Sequence, residues 1–446
     1  MVTADNLNLD CLELIFAHLY GNDLVSVSLV SRSFLAGVIP RLYRTLVFKL
    51  NQAKRYPAIL SPFAAVLAHQ NLTSHVRHID IRTVPIVKAT PNPVFLHECA
   101  RTIAICPNLM TFICTPNVLP SFLFDLQDKE SLQHLRVNAS LTEDQAQKLV
   151  NLRSLKSIIL DTGTPYIANL LPRWTTSLSS TLLSLTLYGM HDLNEHVLDG
   201  ALSNLPNLKA LHVIQCTKID HHSVLSRTSN VPLLESLSFT TWESPRNLPS
   251  SIQPLRYLRH LAIDTHSSLS PNATPSLWSS IISLTRSWSP PLSSITFKLS
   301  EKLLVGDSFI HEVLTAHAAT LRHFAILNGS LSLEAVRTIC SRCSLLERFA
   351  FSIPSKDIFS LAVALSRSKT LHTLSDVSNP HLTHGHKVHV SPSKVRTIVE
   401  NVPSLQKVIT DGRIWTVQRK PFQVYQERKR TPPVHWFMPP SGSNFS

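Results

Sequence analysis

Along the chain, apolar and polar positions fall into one recurring phrase. Apolar residues at L-x-x-L-x-L spacing occur in NLMTFIC (108–114), SLQHLRV (131–137), SLKSIIL (154–160), TLLSLTL (181–187), NLKALHV (207–213), LLESLSF (233–239), YLRHLAI (257–263), TLRHFAI (320–326) and LLERFAF (345–351). Weaker copies stand at Val76, Ile79 and Ile81, at Leu292, Ile295 and Phe297, and at Leu405 and Val408. The L-x-L half alternates with period two, which predicts a short strand with one buried face, and the residue three earlier turns inward at its approach. Between phrases lie helix signals. Thr142 to Gln145 has capping-box spacing, Ser61-Pro62 and Ser391-Pro392 place Pro just inside a Ser cap, and Phe95, Cys99 and Ile103 recur every four residues.

Measured between first apolar positions from 109 to 258, the steps are 23, 23, 27, 26, 26 and 24 residues. That is the period of leucine-rich repeats, and strand alternating with helix at that period predicts an α/β solenoid of short parallel strands. One unit cannot bury its own apolar face, so units must stack. Leu208, Leu211, Val213, Cys216, Ile219 and Asp220 resemble the cysteine-containing class of these repeats, and Met190 holds the Cys place in the unit before. Steps of 34 residues, 258 to 292 and 371 to 405, predict loop insertions, the second containing NPHLTHGHKVHV.

The first forty residues follow another pattern. Leu12, Ile15, Phe16 and Leu19 make an apolar stripe on one helix, Gly21-Asn22 ends it, and Leu24, Val27 and Val30 begin another. More is apolar here than a helical hairpin can bury, so it caps the first repeat or meets a partner. Residues 7–19, LNLDCLELIFAHL, resemble the start of an F-box, L-P-x-E-x-L-x-x-I-F-x-x-L, with Asn8 where the motif has Pro. Asp23-Leu24 and Leu29-Val-Ser-Arg-Ser-Phe34 resemble its second half, and Arg41 to Leu46 looks like the LYRTL phrase that closes it in fungal members. The expected division is an all-helical F-box over 1–45, the leucine-rich-repeat solenoid over 46–415, and an irregular basic, Pro-rich tail over 416–446, with Trp436 and Phe437 folding back onto the last repeat.

The resemblance implies a substrate-recognition subunit of a Skp-cullin-F-box ubiquitin ligase. The F-box would hold a Skp-type adaptor, and through it a cullin, by Leu7, Asp10, Leu12, Ile15, Phe16, Leu19, Leu24, Val30 and Arg32. A protein substrate would sit on the concave face of the repeats, at Arg82, Arg136, Asn138, Asp161, Tyr188, His212, Thr240, Asp264 and Lys298, which flank the last apolar position of their strands. The competing reading is a repeat scaffold that holds RNA or acidic proteins, with the N-terminal helices as a cap.

Composition narrows the chemistry. No run reaches the roughly 18 apolar residues of a membrane span, so no membrane partner is expected. The start carries Asp5, Asp10 and Glu13 and no basic stretch, which argues against a secretory leader. Seven scattered cysteines read as unpaired thiols of an intracellular protein, cytoplasmic or nuclear. The net charge of +13 is spread along the chain, apart from Arg419 to Arg430, so nucleic acid is not the expected partner. Only 10 glycines against 29 prolines disfavour glycine-loop chemistry, and no phosphate-loop, dinucleotide or hydrolase motif occurs. Neither a catalytic residue nor a cofactor is expected. Asp220-His-His-Ser223 resembles the DHHC signature of protein acyltransferases without its cysteine and falls where a helix should start. Cys340-x-x-Cys343 with His381, His384, His386 and His389 could supply zinc ligands. Cys340 shares an apolar helix stripe with Val336 and Ile339, so core packing is the expected role and no metal is assigned.

Overall fold

The period-two phrases become strands, and the segments between them become helices. The computed structural model describes residues 7–19, 21–242, 246, 248–249, 252–265, 273–354, 357–377, 390–410, 413–428 and 435–439, with the backbone alone at 22, 273–276 and 301–303. Two compact units divide the chain, residues 1–205 and 206–446.

The first unit opens with α1 (Leu9–Phe16), α2 (Asn22–Ser28) and α3 (Arg32–Leu42). Six parallel strands follow: β1 (Thr45–Phe48), β2 (His78–Ile81), β3 (Thr111–Cys114), β4 (His134–Ala139), β5 (Ser157–Gly163) and β6 (Ser184–Tyr188). Their register stacks equivalent phrase positions, with Ile79, Phe112, Leu135, Ile158 and Leu185 opposite one another in turn. All five are essentially without solvent exposure. Helices between the strands close this inner face. Phe95 on the helix Pro93–Ile105 meets Phe48 of β1 at 4.3 Å between ring centroids. Trp174, on the helix Pro165–Ser177, is buried with its indole N–H donating to Leu152 O at 3.0 Å. The expected caps form: Ser61 Oγ accepts from Ala64 N, and Thr142 and Gln145 make a capping box.

The second unit continues the pattern with β7 (Ala210–Ile214), β8 (Ser236–Thr241), β9 (His260–Thr265), β10 (Ser294–Leu304), β11 (His323–Ser330), β12 (Arg348–Phe351), β13 (Thr373–Asp376) and β14 (Lys407–Thr410), all parallel. Leu211, Leu237, Leu261, Ile295, Phe324, Phe349, Leu374 and Val408 form one continuous inner row in this register. Burying a side chain of this size contributes on the order of 1.5–3 kcal/mol, so the row is the main cohesive feature of the stack. Cys216 is buried after β7, as the cysteine-containing repeat class requires, and Met190 is buried in the first unit. Each unit is a leucine-rich-repeat stack. No described helix is long and apolar enough to cross a membrane.

The irregular tail expected from residue 416 is corrected by a hairpin. β15 (Arg413–Arg419) pairs antiparallel with β14, and β16 (Phe422–Arg428) pairs with β15. Arg419, read from sequence as the start of a basic tract, is a structural brace. Its guanidinium donates to the carbonyls of Val399, Val402 and Leu405 at 3.0, 2.8 and 2.9 Å, at and just beyond the C-terminal end of the helix Pro392–Asn401, where a cation is favoured. Arg419→Ala is expected to lower stability by about 2–3 kcal/mol in urea unfolding. Lysine should restore only part of this, since it lacks the planar fork. A loss below about 0.5 kcal/mol would contradict the bracing role.

Candidate functional site

The N-terminal helices build a small core of their own. Leu12 and Phe16 of α1, Leu24 of α2 and Val38 of α3 are buried together, with Leu7, Leu19, Val27, Phe34 and Leu42 partly buried around them. The helices approach closely because Gly37 has no side chain: a Cβ there would lie 2.9 Å from Leu12 Cβ and 3.1 Å from the Phe16 ring. Phe34 packs edge-on against Phe16 at 5.3 Å. Arg41 Nε donates to Leu19 O at 3.2 Å and ties the segment after α1 to α3. The continuous first helix expected through Leu19 ends at Phe16, and Gly21 stands at the cap of α2 with φ of 59°.

Other apolar side chains of the cluster face solvent. Leu29 is 82% exposed, Leu14 70% and Val30 65%, and Leu9, Ile15, Val25 and Leu35 are exposed as well. Of the residues assigned from sequence to a partner, Ile15 and Val30 lie on this surface, with the exposed charges Asp10 and Arg32. Leu12, Phe16 and Leu24 do not. They form the core of the cluster, at 2%, 4% and 8% exposure, while Leu7 and Leu19 pack against it. Leu14, Val25 and Leu29 were missed. Their signal was present, since each is a large apolar residue off the amphipathic stripe that defines the buried face.

The strand face away from the helices holds the second group of assigned residues. In the first unit the cations there are paired: Arg82 with Asp80 at 2.7 Å, and Arg136 with Asp161 at 2.9 Å. Asn138 turns its Oδ1 to Ser140 N at 3.0 Å, and Tyr188 is half-buried. In the second unit the expected open face is corrected. His212, Thr240 and Asp264 are buried, and β7, β8 and β9 are buried at every position. Residues 435–439 lie across this face. Phe437 is fully buried with its ring 5.5 Å from that of His212, and its carbonyl accepts from Ser238 Oγ at 3.1 Å and pairs with His260 Nε2 at 2.8 Å. Lys298 Nζ sits 3.2 Å from Asp264 and 5.0 Å from the centre of the Trp436 ring. Phe437 therefore folds back onto β7 to β9 and not onto the last repeat. Burial pushes the imidazoles of His212 and His260 down to about 3 and about 4, so both are neutral at physiological pH.

The remaining chemical signals resolve into structure where they are described. Asp220 caps the helix His221–Arg227, accepting from Ser223 N at 2.8 Å, and binds Arg246 at 2.7 Å. Cys340 and Cys343 are buried thiols that burial pushes up to about 12. His381, His384, His386 and His389 lie outside the described residues. Among the described residues, no three His, Cys, Asp or Glu side chains group as metal ligands.

Comparison with protein families decides what the helical cluster is. Residues 5–36 match the F-box domain. The motif can now be read physically. Asn8, in the place of the usual Pro, caps α1 and accepts from Asp10 N at 3.4 Å. Ser31 of the V-S-R-x-F half caps α3, accepting from Phe34 N at 3.2 Å, and Phe34 supplies the edge contact to the F-box core. Comparison with curated proteins gave no match. Among solved structures, a chain of the yeast Rad7 and Elc1 complex is similar at 14% identity, covering 85% of this chain and 90% of that one, with a TM-score of 0.44. An internalin, inlF, from Listeria monocytogenes is similar at 17% identity over 62% of this chain and 77% of its own, TM-score 0.32. The TLR13–ssRNA13 complex gives 14% identity, 75% and 46% coverage and a TM-score of 0.35.

Proposed function

We propose that this chain is the substrate-recognition subunit of a Skp-cullin-F-box ubiquitin ligase. The observation that carries the reading is the F-box match over residues 5–36, on a helical cluster that leaves Leu14, Ile15, Leu29 and Val30 exposed after its own core is filled. Large apolar side chains grouped in so short a segment are stabilised when a partner removes them from water, and the Skp-type adaptor is the partner an F-box takes. The repeats hold the protein to be modified. The chain's contribution is proximity: it converts a bimolecular encounter between substrate and charged ubiquitin carrier into a reaction within one assembly.

The test is co-expression of the full chain with a Skp-type adaptor and a cullin, followed by size-exclusion chromatography. The reading expects all three in one peak, with the cullin dependent on the adaptor. Elution of a folded chain apart from both would contradict it.

A further inference from the structure

We propose that the outward face of β7 to β10 is a binding site for an extended protein segment with adjacent aromatic residues, and that residues 435–439 occupy it as an internal competitor. As a statement about substrate class this rests on the ligase reading above. The site itself rests on its own geometry.

The central feature is a two-donor receptor for one peptide carbonyl. A carbonyl only accepts, so both Ser238 O–H, at 3.1 Å, and His260 Nε2–H, at 2.8 Å, donate to Phe437 O. His260 is thereby the Nε2–H tautomer, and its Nδ1 accepts from Ser294 O–H at 2.9 Å. Ser238 has given its single proton to the carbonyl, so His212 Nδ1–H donates to Ser238 Oγ at 2.8 Å. Strand register holds all of these groups: His212 stands opposite Ser238, and His260 opposite Ser294. The repeats thus fix the positions of the receptor groups, and the bound carbonyl fixes their protons. Both imidazoles are neutral through burial, the state this proton pattern needs.

Aromatic recognition surrounds the receptor. The Phe437 ring lies beside the His212 ring, and the Trp436 ring faces Lys298 Nζ, which Asp264 holds in place. The contacts therefore read a backbone carbonyl and two ring faces, features that any aromatic pair in an extended segment presents. Residues 435–439 also leave polar atoms of the face unsatisfied. Among the described residues, Ser236 Oγ, fully buried in the row that contains His260, has no hydrogen-bond partner, and neither has the Nδ1 atom of half-buried His323, opposite Ser294. His435 stacks on Phe437 at 4.8 Å and 13°. A tethered segment competes at an effective concentration on the order of millimolar, so an outside segment must match it or gain from further contacts.

The probe is a labelled, capped pentapeptide of the sequence of residues 435–439, with a control carrying alanine at both aromatic positions. Anisotropy is read against the full chain, against full-length Phe437→Ala and against full-length Trp436→Ala. The proposal expects binding to the variants at least ~10-fold tighter than to the unaltered chain, because the internal competitor is weakened. It expects loss of that binding when Ser238→Ala and His260→Ala are added, and no binding of the control. If Phe437→Ala is unfolded by circular dichroism, Trp436→Ala, which keeps the buried ring, gives the reading. Folded variants that bind no peptide, or that bind the control equally, would overturn the proposal and leave residues 435–439 as a structural plug. Adaptor binding measured on the same preparations keeps the two questions apart, since neither result changes the other.

Discussion

A full-length chain carrying Leu14→Asp and Leu29→Asp is expected to lose affinity for a Skp-type adaptor by at least ~100-fold, with its urea unfolding midpoint unchanged. Both side chains are more than two-thirds exposed, so a carboxylate at either position keeps its hydration in the free chain. On docking, the same carboxylate is buried against an apolar partner with no counter-charge, which costs far more than the contact it replaces. Leu12→Asp is the contrasting variant. Leu12 is buried against Phe16, Leu24 and Val38, so this change should unfold the F-box and lose binding for a different reason. Adaptor affinity and unfolding measured on both variants separate docking from folding. Undiminished affinity of the Leu14/Leu29 variant would place the docking surface elsewhere.

The second large effect is loss of stability in mild acid. His212, His260, His317 and His323 of the second unit are held down to between about 3 and about 4, chiefly by burial. Their folded values lie below the ordinary 6.5, so the unfolded chain takes up protons first as pH falls. Stability is therefore full above pH 6.5 and is lost progressively down to about pH 4, by roughly 3 kcal/mol for each fully buried ring. His260 Nδ1 accepts from Ser294 O–H at 2.9 Å, so its protonation also breaks a hydrogen bond. His317 differs: Thr285 O–H donates to Ile282 O, so His317 Nε2–H donates to Thr285 at 3.0 Å and that bond survives protonation. Urea midpoints should be level between pH 7 and 8 and fall steeply between 6.5 and 4. A midpoint unchanged down to pH 5 would mean that these rings relax to solvent at little cost.

The sequence makes the repeats legible because stacking imposes the same local rule on every unit, apolar residues two apart with one buried face. It hides β1 inside the phrase Arg41 to Leu46, whose last two residues, Thr45 and Leu46, begin the first strand. The hairpin β15–β16 is hidden for a different reason. Its Arg, Lys and Gln read as a tail, and the antiparallel pairing that orders them has no signature in the repeat period. In the F-box, motif positions mark which residues belong together, but a stripe of Leu12, Phe16 and Leu24 looks the same whether it forms a core or an interface. Only packing against Gly37 and Val38 assigns it to the core. The covering of His212 and His260 was beyond local reading altogether: Ser238 and Phe437 lie 199 residues apart. Charge placement likewise gave the face of Arg136 and Asp161 but not their ion pair, which depends on the register of neighbouring strands.

Calorimetric titration of a purified Skp-type adaptor into the full chain at pH 7.5 tests the central claim most directly. The account predicts a single saturable event, one adaptor per chain, with Kd tighter than about 1 µM and a negative heat-capacity change from apolar burial. A folded chain that shows no binding at about 100 µM adaptor would contradict it.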